Sequence, residues 1–281
     1  MNKIKFDNYN LHVTLLGGQS FSWIFDDGYY IGVMQNKILK LKQDNDILYW
    51  QTYPTQDDEK FVMNYLYRGP VHYDVMLKNV IKDNHLKSAF NKYPHIRLLN
   101  QEFEHTLLSF LISSNNSIKS IRTRIRKLSQ LYGEKIVIAD KDYYLFPKTE
   151  VLADFSDVQI ANSGLGYRGE YVVNAAKTMI QTDVVKQILD NSLNRNESEV
   201  RELLLGMKGI GEKVADCIMA FGLEFDNVFP VDIWGRRILT DLYGHNEKTK
   251  YSELSSWTKA YFNGYATWAG QYLFEWYREK S

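Results

Sequence analysis

The first part of the chain, to about residue 75, alternates short apolar runs with polar turns, a pattern typical of β-strands. The runs form two pairs, residues 22–25 with 29–33 and residues 38–41 with 46–50. Asp26-Asp27-Gly28 separates the first pair and is a typical β-hairpin turn, and the polar residues 42–45 separate the second. We therefore predict a small antiparallel sheet in residues 1–75.

Beyond residue 75, apolar positions recur with the spacing of amphipathic helices, as at Ile121, Ile125 and Leu128. The same pattern predicts helices over residues 105–112, 121–131, 157–161, 171–180, 198–205, 213–221, 233–242 and 264–278. The predicted fold class is therefore α+β, with an antiparallel β domain in residues 1–75 followed by a mainly helical domain in residues 76–281.

The composition is that of a globular protein, since 44% of the 281 residues are hydrophobic and 24% are charged. No apolar run approaches the roughly 18 residues that indicate a membrane span, and the first seven residues have no apolar segment of a secretory signal. The one cysteine, Cys217, excludes an internal disulfide and a four-cysteine metal cluster. We therefore expect a cytoplasmic protein with no metal or other cofactor and no membrane partner.

The net charge does not indicate a nucleic-acid partner, because 34 Lys and Arg residues balance 34 Asp and Glu residues. Locally, residues 118–127 carry five basic side chains and no acidic one: Lys119, Arg122, Arg124, Arg126 and Lys127. Such a run is usually the solvated face of a helix, and the sequence alone favours this interpretation. The 20 Tyr, 14 Phe and 6 Trp residues suit stacking on bases but equally a large core.

Residues 203–218 contain the most informative pattern. An apolar helix is followed by a turn in which Gly209 and Gly211 bracket one apolar residue, and a second helix starts at once. Glycines here permit positive φ and let a phosphate approach the backbone N–H groups at the positive end of the second helix. The pattern is typical of a helix-hairpin-helix clamp on the DNA backbone, but an ordinary αα-hairpin with a glycine turn has it as well.

Lys213 and Asp232 add chemistry to this hairpin. The lysine falls in the first turn of the second helix, and a neutral amine can attack a sugar carbon and form a Schiff base. Pro230 predicts an extended approach to Asp232, which then falls at the N-cap of a helix that starts at Ile233. The cap alone explains the carboxylate, but a rigid cap also presents a carboxylate to a developing cationic sugar.

Six motifs, taken in order, resemble the helix-hairpin-helix DNA glycosylases with a Gly/Pro-rich loop and an essential aspartate (HhH-GPD), and within them the bacterial 8-oxoguanine DNA glycosylase/lyase branch. The motifs are residues 18–23 (GQSFSW), 113–116 (SSNN), 164–168 (GLGYR), 213–218 (KVADCI), 230–232 (PVD) and 269–274 (AGQYLF). The resemblance covers nearly the whole chain.

The resemblance implies that Lys213 is the nucleophile, which displaces the base and supports β-elimination. It implies that Asp232 stabilises the oxocarbenium-like transition state. It places the flipped base between Phe274 and Cys217. Gly18 would accept, through its carbonyl, a hydrogen bond from the N7–H that 8-oxoguanine has and guanine lacks.

The resemblance also implies how DNA is held. Asn115 would enter the space left by the flipped base, Tyr167 would wedge beside the orphaned partner base, and Arg168 would hydrogen-bond the edge of that base. Gly209 and Gly211 would contact the backbone. The implied partner is double-stranded DNA containing a damaged purine, and we expect a monomer that acts at the nucleoid.

Each of these residues also has an ordinary structural explanation. Phe274 and Cys217 fit core positions, and Gly18 fits a turn. Asn115 fits a helix end and Arg168 a surface ion pair. The residues taken singly do not decide between the two explanations.

The chain departs from the branch at three positions. Ser120 stands where members often carry an arginine that reads the opposite cytosine, so we expect a relaxed preference for that base. The glutamine that contacts the Watson–Crick edge of the flipped base would fall at Gly270, so either Gln271 makes this contact or the contact is lost. Trp234 replaces a common histidine. These changes concern the substrate range more than the chemistry.

Other functions fit the sequence less well. Residues 164–169 match the G-x-G-x-x-G dinucleotide pattern, but the polar segment before them is not a buried strand. The histidines have no zinc-ligand spacing. Two alternatives stay open, an alkylpurine glycosylase of the same superfamily and a non-catalytic helix-hairpin-helix DNA-binding protein. Neither needs Lys213, and the cysteine count excludes the iron–sulfur members.

Overall fold

The computed structural model describes residues 1–34, 36–56, 59–68, 76–78 and 83–280. Val75, the predicted end of the β domain, lies outside these residues, so the predicted boundary is not tested. Within the described ranges, no helix combines the length and the apolar character that a membrane span requires.

Five antiparallel strands form the N-terminal sheet in the order β1-β5-β4-β3-β2. They are β1 (Asn2–Lys5), β2 (Trp23–Asp26), β3 (Tyr29–Met34), β4 (Lys37–Asp44) and β5 (Ile47–Tyr53). The first predicted hairpin is confirmed, since Asp27 and Gly28, at φ 50° and 77°, are the two positive-φ residues of its turn. The second predicted turn is wrong, because residues 42–44 continue β4 and Asp44 pairs with Ile47.

All eight predicted helices are present, with ends within three residues of the prediction. The N-terminal half of the described helices consists of α1 (Leu11–Leu16), α2 (Glu59–Leu66), α3 (Asn84–Lys92), α4 (Phe103–Ser113), α5 (Ile118–Tyr132), α6 (Thr149–Ala153) and α7 (Asp157–Asn162). The C-terminal half consists of α8 (Arg168–Gln181), α9 (Val184–Leu193), α10 (Glu197–Leu205), α11 (Glu212–Gly222), α12 (Ile233–Tyr243), α13 (Tyr251–Phe262) and α14 (Ala266–Lys280). The α+β fold class is therefore confirmed.

The sequence pattern did not predict the two helices among the N-terminal strands or a second small sheet in the mainly helical part. Helices α1 and α2, six and eight residues long, lie among the strands of this part of the chain. A second sheet of two strands, β6 (Lys135–Ile138) and β7 (Lys141–Tyr144), lies within the helical part. Ile136 of this hairpin shares a small core with Ile31 and Ile38, so the hairpin packs on the N-terminal sheet.

The loop between α1 and β2, which carries Gly18, is anchored in both main cores. Leu15 before it lies in the core under the sheet, and Phe21 after it lies in the core of the helices. Between them, the fully buried Gln19 side chain donates to two backbone carbonyls and accepts from one backbone N–H, at 2.8–3.1 Å. Because its polar atoms are satisfied inside the protein, Gln19 fixes the loop independently of any ligand.

A buried charge pair joins the end of α2 to the helical part. The Arg68 side chain is 2% exposed, lies 3.0 Å from Asp226 and also donates to the carbonyl of Ala220. The indole N–H of Trp268 donates to the same carboxylate at 3.1 Å. Buried charges are stable when they are paired and hydrogen-bonded, so these contacts hold the two parts together as a unit.

We predict that Arg68→Met lowers the free energy of unfolding by about 3–5 kcal/mol, because it leaves the carboxylate of Asp226 buried without its cation. Urea denaturation of the full chain measures this change. The control is Lys141→Ala, which removes a 3.0 Å pair with Asp26 whose side chains are 57% and 46% exposed. An exposed pair contributes at most about 1 kcal/mol. Equal effects of the two substitutions would contradict the prediction.

Candidate active site

Six of the eleven predicted site residues line one cavity of about 250 Å³. They are Gly18, Lys213, Cys217, Asp232, Gln271 and Phe274. The loop before β2 and helices α4, α5, α11, α12 and α14 enclose the cavity, and most of its remaining lining is apolar. A concave, largely apolar site with a few converging polar groups is the usual form of a small-ligand site.

Lys213 lies in the first turn of α11 and is half-buried at the cavity. Its Nζ donates to the Ser113 hydroxyl at 3.4 Å and lies 5.7 Å from the ring centroid of Phe110. The Ser113 hydroxyl in turn donates to the Phe110 carbonyl at 2.7 Å, so its oxygen is available as the acceptor for the amine. The long contact leaves the amine loosely held and facing the cavity.

Asp232 is the N-cap of α12, as predicted, and accepts from the Gly235 N–H at 2.7 Å. Gly235 is packed so closely that an added Cβ would lie 2.9 Å from the Pro230 carbonyl oxygen. The cap therefore fixes the side chain of Asp232 at the wall of the cavity.

Cys217 and Phe274 lie on the walls of the same cavity. Burial raises the pKa of the Cys217 thiol to about 12, although the nearby Lys213 amine opposes this shift. The thiol is therefore neutral at physiological pH and acts as a small apolar surface. Phe274 carries the guanidinium of Arg278 5.2 Å from its ring centroid.

Gly18 lies against the ring of Phe274, since an added Cβ would be 2.7 Å from its Cε1 atom. Gly270 stands at the position where the resemblance implies a glutamine that contacts the flipped base. It faces the ring of Phe229. Gln271 is buried, lines the cavity and donates to Glu275 at 3.2 Å. The amide is thus present at the cavity, one position along the chain from the expected one.

Asn115, Tyr167 and Arg168 come together in a second cluster, outside the residues that line the cavity. The Arg168 guanidinium lies 4.4 Å from the ring centroid of Tyr167. It donates to the Ser114 carbonyl at 2.7 Å and to the Asn115 carbonyl at 3.3 Å. Arg168 is 6% exposed, whereas Tyr167 is 54% exposed. Arg168 therefore fixes the backbone of the Asn115 turn, and its predicted contact with the partner base stays a prediction.

The helix-hairpin-helix segment is formed by α10 and α11, with Gly209 and Gly211 in the turn. Gly209 has φ 92°, and an added Cβ would lie 2.5 Å from the ring of Tyr171. Gly211 is the N-cap of α11, has extended backbone angles and faces open space. The two glycines thus have different roles, one conformational and one at the open helix N-terminus.

The basic run of α5 is not uniformly a solvated face, and that interpretation is wrong for two of its five residues. Arg122 donates to the carbonyls of Leu16 and Gly17, and Arg124 donates to the carbonyl of Gly164. The other three side chains, Lys119, Arg126 and Lys127, are exposed. Carbonyls of two neighbouring loops replace water as the acceptors of the two arginines.

Sequence reasoning missed a buried network beneath the catalytic candidates. Asp216, one turn after Lys213, is fully buried and paired with Arg201. Burial raises the pKa of Asp216 to about 6, although Arg201 and Tyr251 oppose the shift. The Tyr251 hydroxyl donates to Asp216 at 2.6 Å and accepts from the Val231 N–H at 3.3 Å. The network therefore joins α11 to the segment before Asp232, and an aspartate inside an apolar helix was the signal for it.

Further residues that the sequence did not predict as site residues also line the cavity. Asn116, Trp234 and Arg278 line the cavity. Ser120, at the expected arginine position, donates to Asn116 at 3.3 Å. Arg278 lies one helical turn after Phe274, and this spacing is a signal for a cation stacked on a ring.

Two family models match the chain. The model described as "8-oxoguanine DNA glycosylase, N-terminal domain" matches residues 3–107. The model described as "HhH-GPD superfamily base excision DNA repair protein" matches residues 108–261, which is more than half of the chain.

Individual relatives agree with these matches. The N-glycosylase/DNA lyase of Saccharomyces cerevisiae is 31% identical over 248 residues, which cover 80% of this chain and 66%, just under two thirds, of the yeast protein. The apo-form of the Clostridium acetobutylicum 8-oxoguanine glycosylase/lyase has a TM-score of 0.85 at 27% identity, over 95% of this chain and 92% of that chain. Its complex with double-stranded DNA containing cytosine opposite 8-oxoguanine has a TM-score of 0.86 at 26% identity, over 100% and 98%.

The two hairpin glycines generate a paired prediction. Gly209→Ser should lower the free energy of unfolding by about 1–2 kcal/mol or more, because a side chain at φ 92° is strained and meets Tyr171. Gly211→Ser should leave it unchanged or raise it, because serine is a favourable N-cap and nothing lies within 4 Å of its Cβ. Chemical denaturation of both variants compares them, and a larger loss at position 211 would contradict the assignment.

Proposed function

The chain belongs to the HhH-GPD superfamily of base excision DNA repair proteins, and on this basis we propose that it excises 8-oxoguanine from duplex DNA and cleaves the abasic strand. The observation that carries the proposal is the convergence of Lys213 and Asp232 on one cavity whose walls include Cys217 and Phe274. The match of residues 3–107 to an 8-oxoguanine glycosylase domain supports the choice of lesion. The proposed enzyme acts as a monomer at the nucleoid.

Base recognition precedes chemistry in this proposal. A base inside a duplex is out of reach, so the damaged nucleotide is flipped into the cavity, with Phe274 on one ring face and Cys217 on the other. The Gly18 carbonyl accepts the N7–H of 8-oxoguanine. Guanine has no proton at N7, so it would face the buried carbonyl with a second acceptor, and this mismatch disfavours it.

Chemistry begins with the neutral amine of Lys213. The amine attacks C1′ of the sugar as the N-glycosidic bond breaks, and the base leaves with the bonding electron pair and takes up a proton. The carboxylate of Asp232 stabilises the positive charge that develops on the sugar, and the cap keeps it in place before the reaction starts. The sugar ring then opens to a Schiff base, loss of a C2′ proton follows, and the C3′–O bond breaks by β-elimination.

Lys213 also separates this proposal from its alternatives. An alkylpurine glycosylase that activates water and a DNA-binding module without activity have no use for an amine at the cavity. Neither alternative predicts a covalent adduct with DNA.

We predict that the wild-type chain, but not Lys213→Gln, forms an adduct with 8-oxoguanine duplex under borohydride reduction. The glutamine removes the nucleophilic amine, so strand cleavage is lost while binding to damaged duplex persists. Gel analysis of the trapped complex is the measurement, with 8-oxoguanine placed opposite each of the four bases. Similar adduct yields opposite all four bases would agree with the relaxed preference for opposite cytosine that we expect from Ser120.

The matched control is Lys60→Gln, an exposed lysine of α2 that does not line the cavity. It should form the adduct in wild-type yield. Adduct formation by Lys213→Gln would contradict the role of Lys213. An adduct only with a preformed abasic site would keep the lyase chemistry and exclude 8-oxoguanine as the substrate.

We predict that Asp232→Asn lowers the single-turnover excision rate about 100-fold or more, because the charge that stabilises the transition state is lost. Asparagine caps a helix as well as aspartate does, so the bond to Gly235 and the free energy of unfolding should be retained within about 0.5 kcal/mol. Excision rates and thermal unfolding are measured on the same preparation. A loss of activity that merely follows a loss of stability would contradict a catalytic role.

A further inference from the structure

The peptide group between Gly17 and Gly18 is held at both of its polar ends. Its N–H, from Gly18, donates to Glu275 Oε1 at 3.0 Å. Its C=O, from Gly17, accepts from Arg122 Nη2 at 3.3 Å, and the same nitrogen donates to the Leu16 carbonyl at 2.7 Å. Glu275 and Arg122, here called the loop clamp, therefore fix the plane of this peptide from opposite sides.

The carboxyl group of Glu275 is buried and hydrogen-bonded on several sides. Glu275 is 6% exposed and accepts three hydrogen bonds, from the Gly18 N–H at 3.0 Å, from Gln271 at 3.2 Å and from Arg278 at 2.9 Å. Burial raises the pKa of Glu275, and Arg278, the Gly18 N–H, Arg122 and Gln271 all oppose that shift. The charged and hydrogen-bonding groups around the carboxyl favour its ionised form and burial opposes it, while an oxygen that accepts from the Gly18 N–H is present in either form.

The Gly17-Gly18 backbone lies in close contact with helix α14. A Cβ on Gly17 would lie 2.5 Å from Glu275 Oε1, and a Cβ on Gly18 would lie 2.7 Å from Phe274 Cε1. Two consecutive glycines let the bare backbone lie directly on the helix face that also bears Gln271. Contacts of the Gly17–Gly18 peptide therefore hold the Gly18 Cα, the atom that bears the Gly18 carbonyl, against the ring of Phe274.

We infer that Glu275 and Arg122 are positioning residues for base discrimination, acting through the orientation of the Gly18 carbonyl. This inference rests on the proposed function, in which that carbonyl distinguishes 8-oxoguanine from guanine. A hydrogen bond weakens steeply as its geometry departs from linear, so an acceptor that rotates loses its ability to discriminate. The lyase step at a sugar without a base has no use for this acceptor.

The test compares two rates in full-length wild type, Glu275→Ala and Glu275→Gln. One is the single-turnover excision of 8-oxoguanine opposite cytosine, and the other is strand cleavage of the same duplex with a preformed abasic site. Amide hydrogen exchange at Gly18 reports the clamp directly, without reference to any substrate. Glu279→Ala is the matched control, because Glu279 is an exposed carboxylate on the same helix that bonds to Tyr93 rather than to the loop.

In Glu275→Ala we expect the ratio of excision to abasic cleavage to fall about 10-fold or more, since one directional hydrogen bond to the base is lost. The Gly18 amide should exchange faster. Glu275→Gln keeps an oxygen that can accept from Gly18 and should retain the ratio within about threefold. Glu279→Ala should behave as wild type. Arg122→Ala, which releases the other end of the peptide, should lower the ratio of excision to abasic cleavage as Glu275→Ala does. If Glu275→Ala does not fold, Arg122→Ala tests the role of the clamp in its place.

An unchanged Gly18 exchange rate in Glu275→Ala would overturn the clamp itself. Faster exchange with an unchanged ratio, or an equal fall of both rates, would overturn its role in discrimination and leave Glu275 as a structural residue. Wild type that cleaves the abasic duplex but does not excise 8-oxoguanine would overturn the proposed substrate and with it the role in discrimination, while the exchange measurement still decides the clamp.

Discussion

Helix α11 is buried along its whole length after its first turn, and the site depends on this packing. Every residue from 214 to 221 is buried, and Phe221 stacks on Phe110 of α4 with ring centroids 5.7 Å apart. The N-terminus of the helix reaches the surface, so the hairpin turn and Lys213 open toward solvent and the cavity together. A single buried helix thus connects the hairpin turn, which we propose contacts the DNA backbone, to Lys213, the proposed nucleophile.

Three buried ion pairs also hold the segments around the site. Arg68 with Asp226, Arg201 with Asp216, and Arg278 with Glu275 each pair a carboxylate that is mostly or fully buried. Each carboxylate also accepts at least one further hydrogen bond from a different segment. Because such groups tolerate only a narrow geometry, they hold α11, the segment before Asp232 and the Gly18 loop in fixed relation.

How much the sequence could reveal differs between the fold and the site. Helix α5 shows several turns of apolar period and was predicted, whereas α1 and α2, which lie among the N-terminal strands, were not. Lys213 and Asp232 could be predicted as site residues from local motifs, and the structure places both at one cavity. Glu275 could not be, since its partner Gly18 is 257 residues away in the chain and nothing local distinguishes it from a surface glutamate.

The protonated state of the Cys217 thiol affects how readily the protein is oxidised. Oxidants attack a thiolate far faster than a thiol, and an adjacent positive charge ordinarily promotes the thiolate. With a pKa of about 12, Cys217 stays a thiol even though the amine of Lys213 is close by. An enzyme proposed to repair oxidised guanine works where oxidants are present, and the sulfur in the wall of its cavity stays in the form that they attack least.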